Sequence, residues 1–391
     1  MVNYIVQRGD TLYRLSKGFK CSVDDICSAN NISQNQTLLD GQILRIPAGQ
    51  AGMGSLGCPN STNTTRACGC NYFDTEVSVD SMVFFADRPK AVYLARDDVF
   101  GEAVAASPLQ HFPNDGPLLL TDSNRLPGVV ATEIQRLNPS GATGAAQVVV
   151  VGSAGEGVIE DVRRLGFTVE RLSGANMFET AALVAQRRGY PKDIQLVPTD
   201  PASGGALAAS WSAHMGDPVL LTETDRLPDA TRQAISNTRN AKVYVIGGPQ
   251  YISDSVLEEL RTLNVTYIDR IAGADPYETS VLFARYKSPV SNYGWNRNSK
   301  AGHAFSFPIF ERWQYLVSST PFSHMGKHTP FLFVNRDSAP PVVLRYIQDV
   351  NPRSGEQPPF MHGFIIGSEC LVSRGVQEAL HSALSIDMPH M

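Results

Sequence analysis

The sequence lacks the features of several large protein classes. No apolar run approaches the roughly 18–20 residues that a transmembrane helix needs. Met1 leads into a folded-looking motif without a basic start or an apolar segment, so no signal peptide is expected in this numbering. The catalytic motifs HExxH, GxSxG and GxxxxGKS/T do not occur. The sequence therefore predicts a protein that is neither membrane-spanning nor an enzyme, and that holds no metal or cofactor.

Charged residues are also scarce, at 18% of the chain. The 33 basic and 38 acidic residues give a net charge of −5, which disfavours nucleic acid as a partner. Hydrophobic residues make up 42% of the 391 residues, as expected for an ordinary globular protein of about two to four domains.

Cysteine is rare and unevenly placed. Apart from Cys370, the cysteines all lie in the first seventy residues, at Cys21, Cys27, Cys58, Cys68 and Cys70. The spacing of Cys68 and Cys70 does not match a CxxC zinc pair, and no histidine precedes His111 to complete a site. Disulfides or cross-links between subunits remain open, as do free thiols, and a metal site has the weakest support.

The first compact motif covers residues 3–47. Asp10 lies where it can cap a helix, because a side-chain oxygen at that position accepts a hydrogen bond from the first helical turn. The pattern predicts a strand–helix–helix–strand unit with strands at Tyr4–Val6 and Ile43–Ile46 and a second helix near Val23–Asn30.

This unit resembles the lysin motif (LysM) family. The resemblance rests on Gly9-Asp10-Thr11-Leu12, on Asn30-Asn31-Ile32 and on Gly41-Gln42. It implies a shallow groove that binds N-acetylglucosamine-containing chains such as peptidoglycan or chitin. By this resemblance, one wall of the groove consists of Gly9, Asp10, Thr11 and Leu12, and the other of Asn31 and Ile32. Two alternatives remain open: these residues only cap and pack the unit, or the unit contacts another protein.

Residues 49–80 are rich in Gly, Ser, Thr and Asn, a composition that predicts a linker. We expect this linker to be held in place by disulfides or by neighbouring subunits.

The rest of the chain repeats a strand–helix–strand–helix unit, which is clearest over Lys242–Ala284. The matching segments lie about 100 residues apart, which is too far for a solenoid and fits tandem small domains. QVVVVGS (147–153) matches KVYVIGG (242–248), LSGANMFET (172–180) matches IAGADPYET (271–279), and GPLLLT (116–121) matches DPVLLT (217–222).

These repeats predict an α/β fold of three parallel-sheet modules, at residues 81–186, 187–287 and 288–391. The third module is diverged. It has an insertion near Asn292–Lys300, and no copy of the closing IAGADPYET segment follows it.

The modules resemble the cell wall binding repeat family 2 of Gram-positive surface proteins. The motifs that carry the resemblance are GALAAS, LLT, RLP, VIGG and the closing IAGADPYET. The resemblance implies Rossmann-like modules in a pseudo-threefold arrangement, attached to anionic polymers of the cell wall.

Three further segments are candidates for a ligand or metal site. The glycine-rich turn Gly152–Gly157 departs from the GxGxxG order of a dinucleotide site, so a structural turn is favoured. Glu179 and Glu278 could touch a wall polymer, but stabilising their own helix is the favoured role. The matching His214-Met215 and His324-Met325 pairs favour packing over metal binding.

We therefore predict a non-catalytic bacterial surface protein that binds wall glycans. It is expected to assemble with itself into a surface layer or filament, on the cell wall or on a spore, with the N-terminal cysteines as cross-links. Its expected partners are peptidoglycan or another N-acetylglucosamine-containing glycan, an anionic wall polymer, and further copies of itself. The alternatives are a wall-anchored relative of an autolysin and a monomeric adhesin.

Overall fold

The structure is a computed structural model that describes residues 2–6, 11–18, 23–39, 42–46, 58–61, 63–85, 87–141, 146–299, 304–325, 328–351 and 362–384. Within these ranges, no helix is both long and apolar enough to cross a membrane. The described chain forms a small N-terminal unit followed by three α/β modules, which confirms the predicted fold class.

The N-terminal unit has the predicted strand–helix–helix–strand order. Its elements are β1 (Val2–Ile5), α1 (Leu12–Gly18), α2 (Val23–Asn30) and β2 (Ile43–Ile46). The two strands pair antiparallel, with Val2 opposite Ile46. The Asn30 side chain donates to the Arg45 carbonyl (2.6 Å) and accepts from the Arg45 amide (2.5 Å), so it fixes the end of α2 against β2. A small apolar core fills the unit, formed by Val6, Leu12, Leu15, Ile26, Cys27, Leu44 and Ile46.

The first and second modules share one topology. Module 1 contains β4 (Val92–Arg96), α4 (Phe100–Ala106), β5 (Leu118–Thr121), α5 (Gly128–Leu137), β6 (Val148–Val151), α6 (Glu156–Arg164), β7 (Val169–Leu172) and α7 (Met177–Arg187). Module 2 contains β8 (Asp193–Pro198), α8 (Leu207–Met215), β9 (Val219–Thr222), α9 (Asp229–Asn237), β10 (Ala241–Ile246), α10 (Asp254–Arg261), β11 (Val265–Ile271) and α11 (Pro276–Arg285). The sheet orders are β5-β4-β6-β7 and β9-β8-β10-β11, and every pair is parallel.

Hydrophobic content explains why these strands are buried on both faces of the sheet. All four residues of β5 and all four of β6 are buried. A strand that is apolar on both faces is stable only when helices cover both sides of the sheet, as they do in parallel α/β folds. One apolar cluster runs through module 1, module 2 and part of module 3, so the modules share a core.

Module 3 is completed from the other end of the chain. Its C-terminal elements are β12 (Ala304–Phe307), α12 (Trp313–Ser318), α13 (Pro341–Val350), β13 (His362–Ile366) and α14 (Arg374–Ala383). Bridges at Phe331 and Val334 extend its sheet on one side. On the other side the fourth strand is β3 (Thr64–Ala67), which pairs parallel with β13 and leads into α3 (Tyr72–Val83).

The prediction of a linker over residues 49–80 is therefore wrong for its second half. Residues 64–80 lie in β3 and α3, and Thr64 is paired with Gly363 in the sheet of module 3. The closing segment that the third module was expected to lack is present as RACGCNYFDT (66–75), and the repeating unit therefore begins at this segment. Module 3 therefore consists of residues 64–67 together with C-terminal residues, and not of residues 288–391 alone.

Arg66 fixes this closure. Its side chain is 2% exposed and donates from Nη1 to the carbonyls of Gly367 (2.8 Å) and Val372 (2.9 Å). The Nε and Nη2 atoms both donate to the Gln377 side-chain oxygen, at 3.1 Å and 2.7 Å. Hydrogen bonds donated by a charged group are stronger than those between neutral groups. Arg66 therefore holds β3 against the turn after β13 and against α14.

The closing helices join the modules into a ring. Helix α7 packs on β9 and α9 of module 2, α11 packs on α13 of module 3, and α3 packs on α5 and β5 of module 1. The closing helix of each module thus packs on the following module, and α3 makes the contact between module 3 and module 1. The pseudo-threefold arrangement predicted from the repeats follows from this cyclic order.

Helix α3 carries an unusual buried carboxyl group. Asp80 is fully buried, and neither of its side-chain oxygens has a hydrogen-bond partner among the residues that the structure describes. The equivalent positions of the other two closing helices are occupied by Ala185 and Ala284. Burial raises the pKa of Asp80 well above its usual value, and the nearby Glu133 raises it further. The closure at α3 is therefore weaker than it would be with alanine.

We expect Asp80→Ala to raise the free energy of unfolding by about 1–2 kcal/mol, because it removes a buried polar group without a partner. The gain should grow as pH rises above about 4. The carboxyl is held protonated in the folded state, whereas in the unfolded state it ionises near its ordinary pKa, so the wild type loses stability as pH increases. Thermal unfolding between pH 4 and 8 measures this difference.

The matched control is Ser81→Ala, which lies on the same helix but is exposed and should leave stability unchanged. An Asp80→Ala variant that is less stable than the wild type at every pH would show that the carboxyl has a stabilising partner.

Candidate functional site

The closing turn after each fourth strand has the same geometry in all three modules. The helix caps are Asn71, Asn176 and Asp275, and each accepts a hydrogen bond from the amide three residues later. A glycine precedes each cap by two residues, and at Gly69 and Gly174 an added Cβ would lie 2.1 Å and 2.3 Å from the side chain five residues later. The turn requires glycine at this position because the helix approaches so closely.

The acidic residues of the turns are occupied with local contacts. Glu179 accepts from the Ala175 amide (2.9 Å) and Glu278 from the Ala274 amide (2.6 Å). In the third copy Asp74 accepts from the Cys70 amide (3.1 Å). The structure thus places Glu179 and Glu278 in the turn-stabilising role that the sequence favoured over polymer contact.

The backbone amides of the glycine-rich turn at 152–157 are used in hydrogen bonds to the loop after β5. The Gly155 amide donates to the Ser123 carbonyl (2.7 Å) and the Gly157 amide donates to Asn124 Oδ1 (3.2 Å). A dinucleotide phosphate would need these amides, so the turn is structural.

A large cleft opens where α3 meets module 1. It measures about 790 Å3 and lies at the carboxyl ends of β4 and β5, beside the N-terminus of α3. In open parallel sheets this edge is where ligands bind. The polar side chains that line the cleft are Asn71, Tyr72, Asp97, Asp98, Asp122, Ser123, Asn124 and Arg125.

The cleft is acidic. Tyr72 donates to Asp97 (2.6 Å), and burial raises the pKa of the Asp97 carboxyl. Arg96 pairs with Asp98 (2.7 Å) and lowers its pKa. Sequence reasoning missed this site, although the Asp97-Asp98 pair directly after a buried strand was a usable signal. Polar groups of this kind suit a neutral, hydroxyl-rich ligand better than a polyanion.

The predicted LysM groove lies partly within the described residues. Gly9 and Asp10 fall outside them. Thr11 is exposed at the start of α1, and its carbonyl accepts from the Leu15 amide (3.0 Å). Leu12 is 5% exposed, so its side chain belongs to the core and only its backbone can face a ligand.

The other predicted wall follows α2. Asn31 is exposed and has a left-handed backbone with φ of 56°. Ile32 is partly buried and packs against the same apolar cluster that contains Leu12. The two predicted walls therefore share a core. Sequence reasoning missed three large apolar side chains that the unit exposes, Tyr13, Leu39 and Ile43, which are 65–69% exposed.

The cysteines are arranged differently from a simple cross-linking cluster. Cys58 and Cys68 form a disulfide within the chain, with Cα atoms 6.0 Å apart, and it joins a residue that precedes β3 to the residue that directly follows β3. Cys27 is buried in the LysM core, whereas Cys70 and Cys370 are exposed. Cys21 lies outside the described residues.

Three histidines at equivalent positions, His111, His214 and His324, lie close to one another where the modules meet. The rings of His111 and His324 are 5.1 Å apart. Burial lowers the pKa of His111 to about 4 and that of His214 to about 3, and neighbouring histidines lower both further. Among the described side chains, no group of three or more potential ligands is arranged to hold a metal ion. These neutral imidazole side chains pack against one another where the three modules meet.

Comparison with known proteins decides what the two kinds of unit are. Residues 4–47 match the LysM domain family, and residues 171–257 match the family described as cell wall binding domain 2. The chain contains a LysM domain and a cell wall binding domain 2. The second match begins at Arg171 in β7, which agrees with a repeat that starts at the closing strand.

The relatives are longer than this chain. An N-acetylmuramoyl-L-alanine amidase, LytC of Bacillus subtilis, is 24% identical over 54% of this chain and 41% of its own length. The amidase enhancer of Bacillus subtilis is 26% identical over 82% of this chain and 40% of its own length. The chain thus spans about two fifths of these relatives.

The structure of Cwp6 from Clostridium difficile shares the fold. It aligns with a TM-score of 0.67 and 19% sequence identity, covering 82% of this chain and 48% of that one. The chain therefore combines a LysM domain with a domain of a family described as cell wall binding.

Proposed function

We propose that this protein is a non-catalytic, wall-anchored structural protein that binds peptidoglycan through its LysM domain and assembles with further copies into a surface layer or filament on a cell or spore. The observation that carries the proposal is the presence of two unrelated wall-binding domains on one chain. Two separate glycan contacts on one chain raise the effective affinity for a polymer that repeats its sites.

The LysM surface supports a contact with N-acetylated sugars. Asn31 offers both an amide donor and a carbonyl acceptor at an exposed, left-handed position, and Thr11 is exposed on the opposite wall. Tyr13 adds an exposed aromatic ring next to Thr11. These groups match the acetamido and hydroxyl groups of a neutral glycan.

The module cleft supports a second glycan contact. Its carboxylates and hydroxyl groups can accept and donate hydrogen bonds to sugar hydroxyls, and its volume of about 790 Å3 lies in the range of ligand sites. Val6 of the LysM domain borders the same cavity, so one glycan strand could touch both surfaces.

The disulfide reduces the number of cysteines that can link one copy of the protein to another. Because Cys58 and Cys68 are joined within one chain, they do not link subunits. Cys27 is buried and equally unsuited. Cys70 and Cys370 are both exposed. Because the sequence predicts cross-links through the N-terminal cysteines, we assign them to Cys70 and to Cys21.

We expect Asn31→Gly to weaken binding to purified peptidoglycan about fivefold to tenfold. Glycine keeps the left-handed backbone and removes only the side-chain hydrogen bonds, whose loss costs about 1–1.5 kcal/mol. A sedimentation pull-down with increasing peptidoglycan measures the change. The matched control is Asn240→Gly, which is also exposed and left-handed with φ of 57° but lies in module 2. Equal binding by both variants and the wild type would remove the LysM groove from the account.

We further expect the purified protein to form layers or filaments in negative-stain micrographs under oxidising conditions. A Cys21→Ser/Cys70→Ser double variant should lose the ladder of linked species on a non-reducing gel, whereas Cys370→Ser should keep it. Monodisperse single particles under both oxidising and reducing conditions would contradict self-assembly and leave a monomeric adhesin.

A relative of an autolysin is the second candidate, favoured by the likeness to an amidase and to an amidase enhancer. The structural proposal interprets the aligned regions as wall-binding repeats that the proteins share, because the chain matches only about two fifths of either relative. We expect no clearing when the chain is run in a gel that contains peptidoglycan. A cleared band would replace the structural proposal with a lytic one.

A further inference from the structure

Four histidines lie where the three modules meet, and we call them the junction histidines. They are His111 of module 1, His214 of module 2, and His324 and His328 of module 3. Two contacts between their rings cross module boundaries. His111 meets His324 with ring centres 5.1 Å apart, and His214 meets His328 with ring centres 4.8 Å apart. Module 3 therefore contacts each of the other two modules through a pair of histidines.

The contact between His214 and His328 requires at least one neutral ring. Their Nδ1 atoms lie 3.1 Å apart, in a hydrogen bond in which one ring donates and the other accepts. A protonated imidazole carries a hydrogen on both nitrogens and can only donate. If both rings were protonated, this hydrogen bond would be lost and two positive charges would face each other at short distance.

The surroundings of His111 also favour a neutral ring. Its Nδ1 atom is buried and has no hydrogen-bond partner among the residues that the structure describes, so a proton added there would meet no acceptor. The Arg188 guanidinium and the His111 ring both approach Gly216, where an added Cβ would lie 2.1 Å from Arg188 Nη2 and 3.0 Å from His111 Cδ2. Arg188 donates to the carbonyls of Phe112 (2.8 Å) and Gly216 (3.2 Å), which fix its position.

The cations around the junction oppose a further positive charge. Arg188 disfavours a proton on His111, and Arg297 disfavours a proton on His214. Lys90 lies over the ring of Phe112, the residue after His111, at 5.9 Å from the ring centre. Protonating the junction histidines would therefore add charge of the same sign to a region that already contains it.

One carboxylate acts in the other direction. Asp115 Oδ1 lies 3.0 Å from His324 Nε2 and favours a proton on that ring. Asp115 also favours a proton on His111, although more weakly than burial and the neighbouring cations oppose it. A second carboxylate, Asp217, acts on Arg188.

The balance of these effects favours the neutral rings in the folded protein. Burial is the largest cause, and it lowers the pKa of His111 to about 4, that of His214 to about 3, and that of His324 below its ordinary value. In an unfolded chain a histidine titrates near pH 6.5. The folded junction thus binds fewer protons than an opened one, so its stability is lost progressively as pH falls below about 6.5.

We propose that the junction histidines form an acid-sensitive latch that holds module 3 against modules 1 and 2. At neutral pH the two ring contacts keep the three modules together at their meeting point. In acid, protonation breaks both contacts and the ring of modules loosens there. The LysM domain contains no histidine, so the latch is a property of the modules and stands apart from the proposed glycan contacts.

Tryptophan fluorescence of the full chain tests the latch, because two tryptophans lie against His214. The ring centres of Trp211 and Trp295 are 5.5 Å and 4.9 Å from that of His214. The melting temperature is measured from this signal at pH 7.5 and at pH 5, and the fall between the two is the acid sensitivity. Asp80 changes stability in the opposite direction over this range, so each variant is compared with the wild type at both pH values.

Two histidine variants should reduce the acid sensitivity. His214→Asn keeps a hydrogen-bonding group beside His328 but cannot be protonated, and His111→Gln removes the ionisable ring next to Arg188. We expect the fall in melting temperature to be at least about 3 °C smaller in each variant than in the wild type, because the replaced side chain no longer takes up a proton when the junction opens. The matched control is His381→Gln, which lies in α14 outside the junction and should keep the wild-type acid sensitivity.

Asp115→Asn should act in the opposite direction. Asparagine has the same shape and tolerates the left-handed backbone at this position, where φ is 44°. It cannot favour a proton on His324 as the carboxylate does, so the acid sensitivity should increase by about 2 °C or more. This variant separates an effect of charge from an effect of packing, because all four junction histidines remain in place.

The latch is contradicted if both histidine variants keep the wild-type acid sensitivity, or if Asp115→Asn leaves it unchanged or reduces it. If a histidine variant does not fold at pH 7.5, Asp115→Asn decides the result.

Discussion

The pairing of β3 with β13 is the interaction on which the rest of the module assembly depends. It joins residues that are about 300 positions apart, and Arg66 secures it with hydrogen bonds to the turn after β13 and to Gln377, 311 residues away. Without β3, the edge of β13 would be an unpaired parallel strand, and α3 would leave the apolar surface of β5 and α5 uncovered. Together with the packing of α12 on β5 and α4, this pairing joins module 3 to module 1 and closes the ring of three modules.

The closure also explains an imbalance among the three repeats. The closing helices of modules 1 and 2 lead directly into the next module, whereas α3 precedes the whole array and its neighbouring strand β3 pairs with β13, about 300 residues away. Long-range pairing of this kind is slow and costs loop-closure entropy. In α3 the alanine of the other two helices is replaced by Asp80, whose buried carboxyl lies near Glu133 and Arg136 of α5 in module 1.

The sequence was enough to predict the fold class, the LysM unit and two of the three modules, because β6 and β10 and their closing turns differ little between copies. It was not enough to predict the closure. In RACGCNYFDT (66–75) two cysteines and Asp74 replace the residues that make the other copies recognisable, and the segment follows a stretch whose composition is typical of a linker.

In the proposed function, the LysM groove and the module 1 cleft bind an uncharged glycan, because both offer neutral or acidic hydrogen-bonding groups. A chain with a net charge of −5 would be repelled from an anionic polymer at most of its surface.

Cleavage of the connection between α3 and β4 tests the closure most directly. A protease site placed at the exposed Phe85, which is 79% exposed, would separate the LysM domain and the β3–α3 segment from the rest of the chain without removing either. The account predicts that the cleaved protein elutes from a sizing column as one particle of unchanged mass and that its fragments separate only in denaturant. Separation of the fragments in native buffer immediately after cleavage would contradict it.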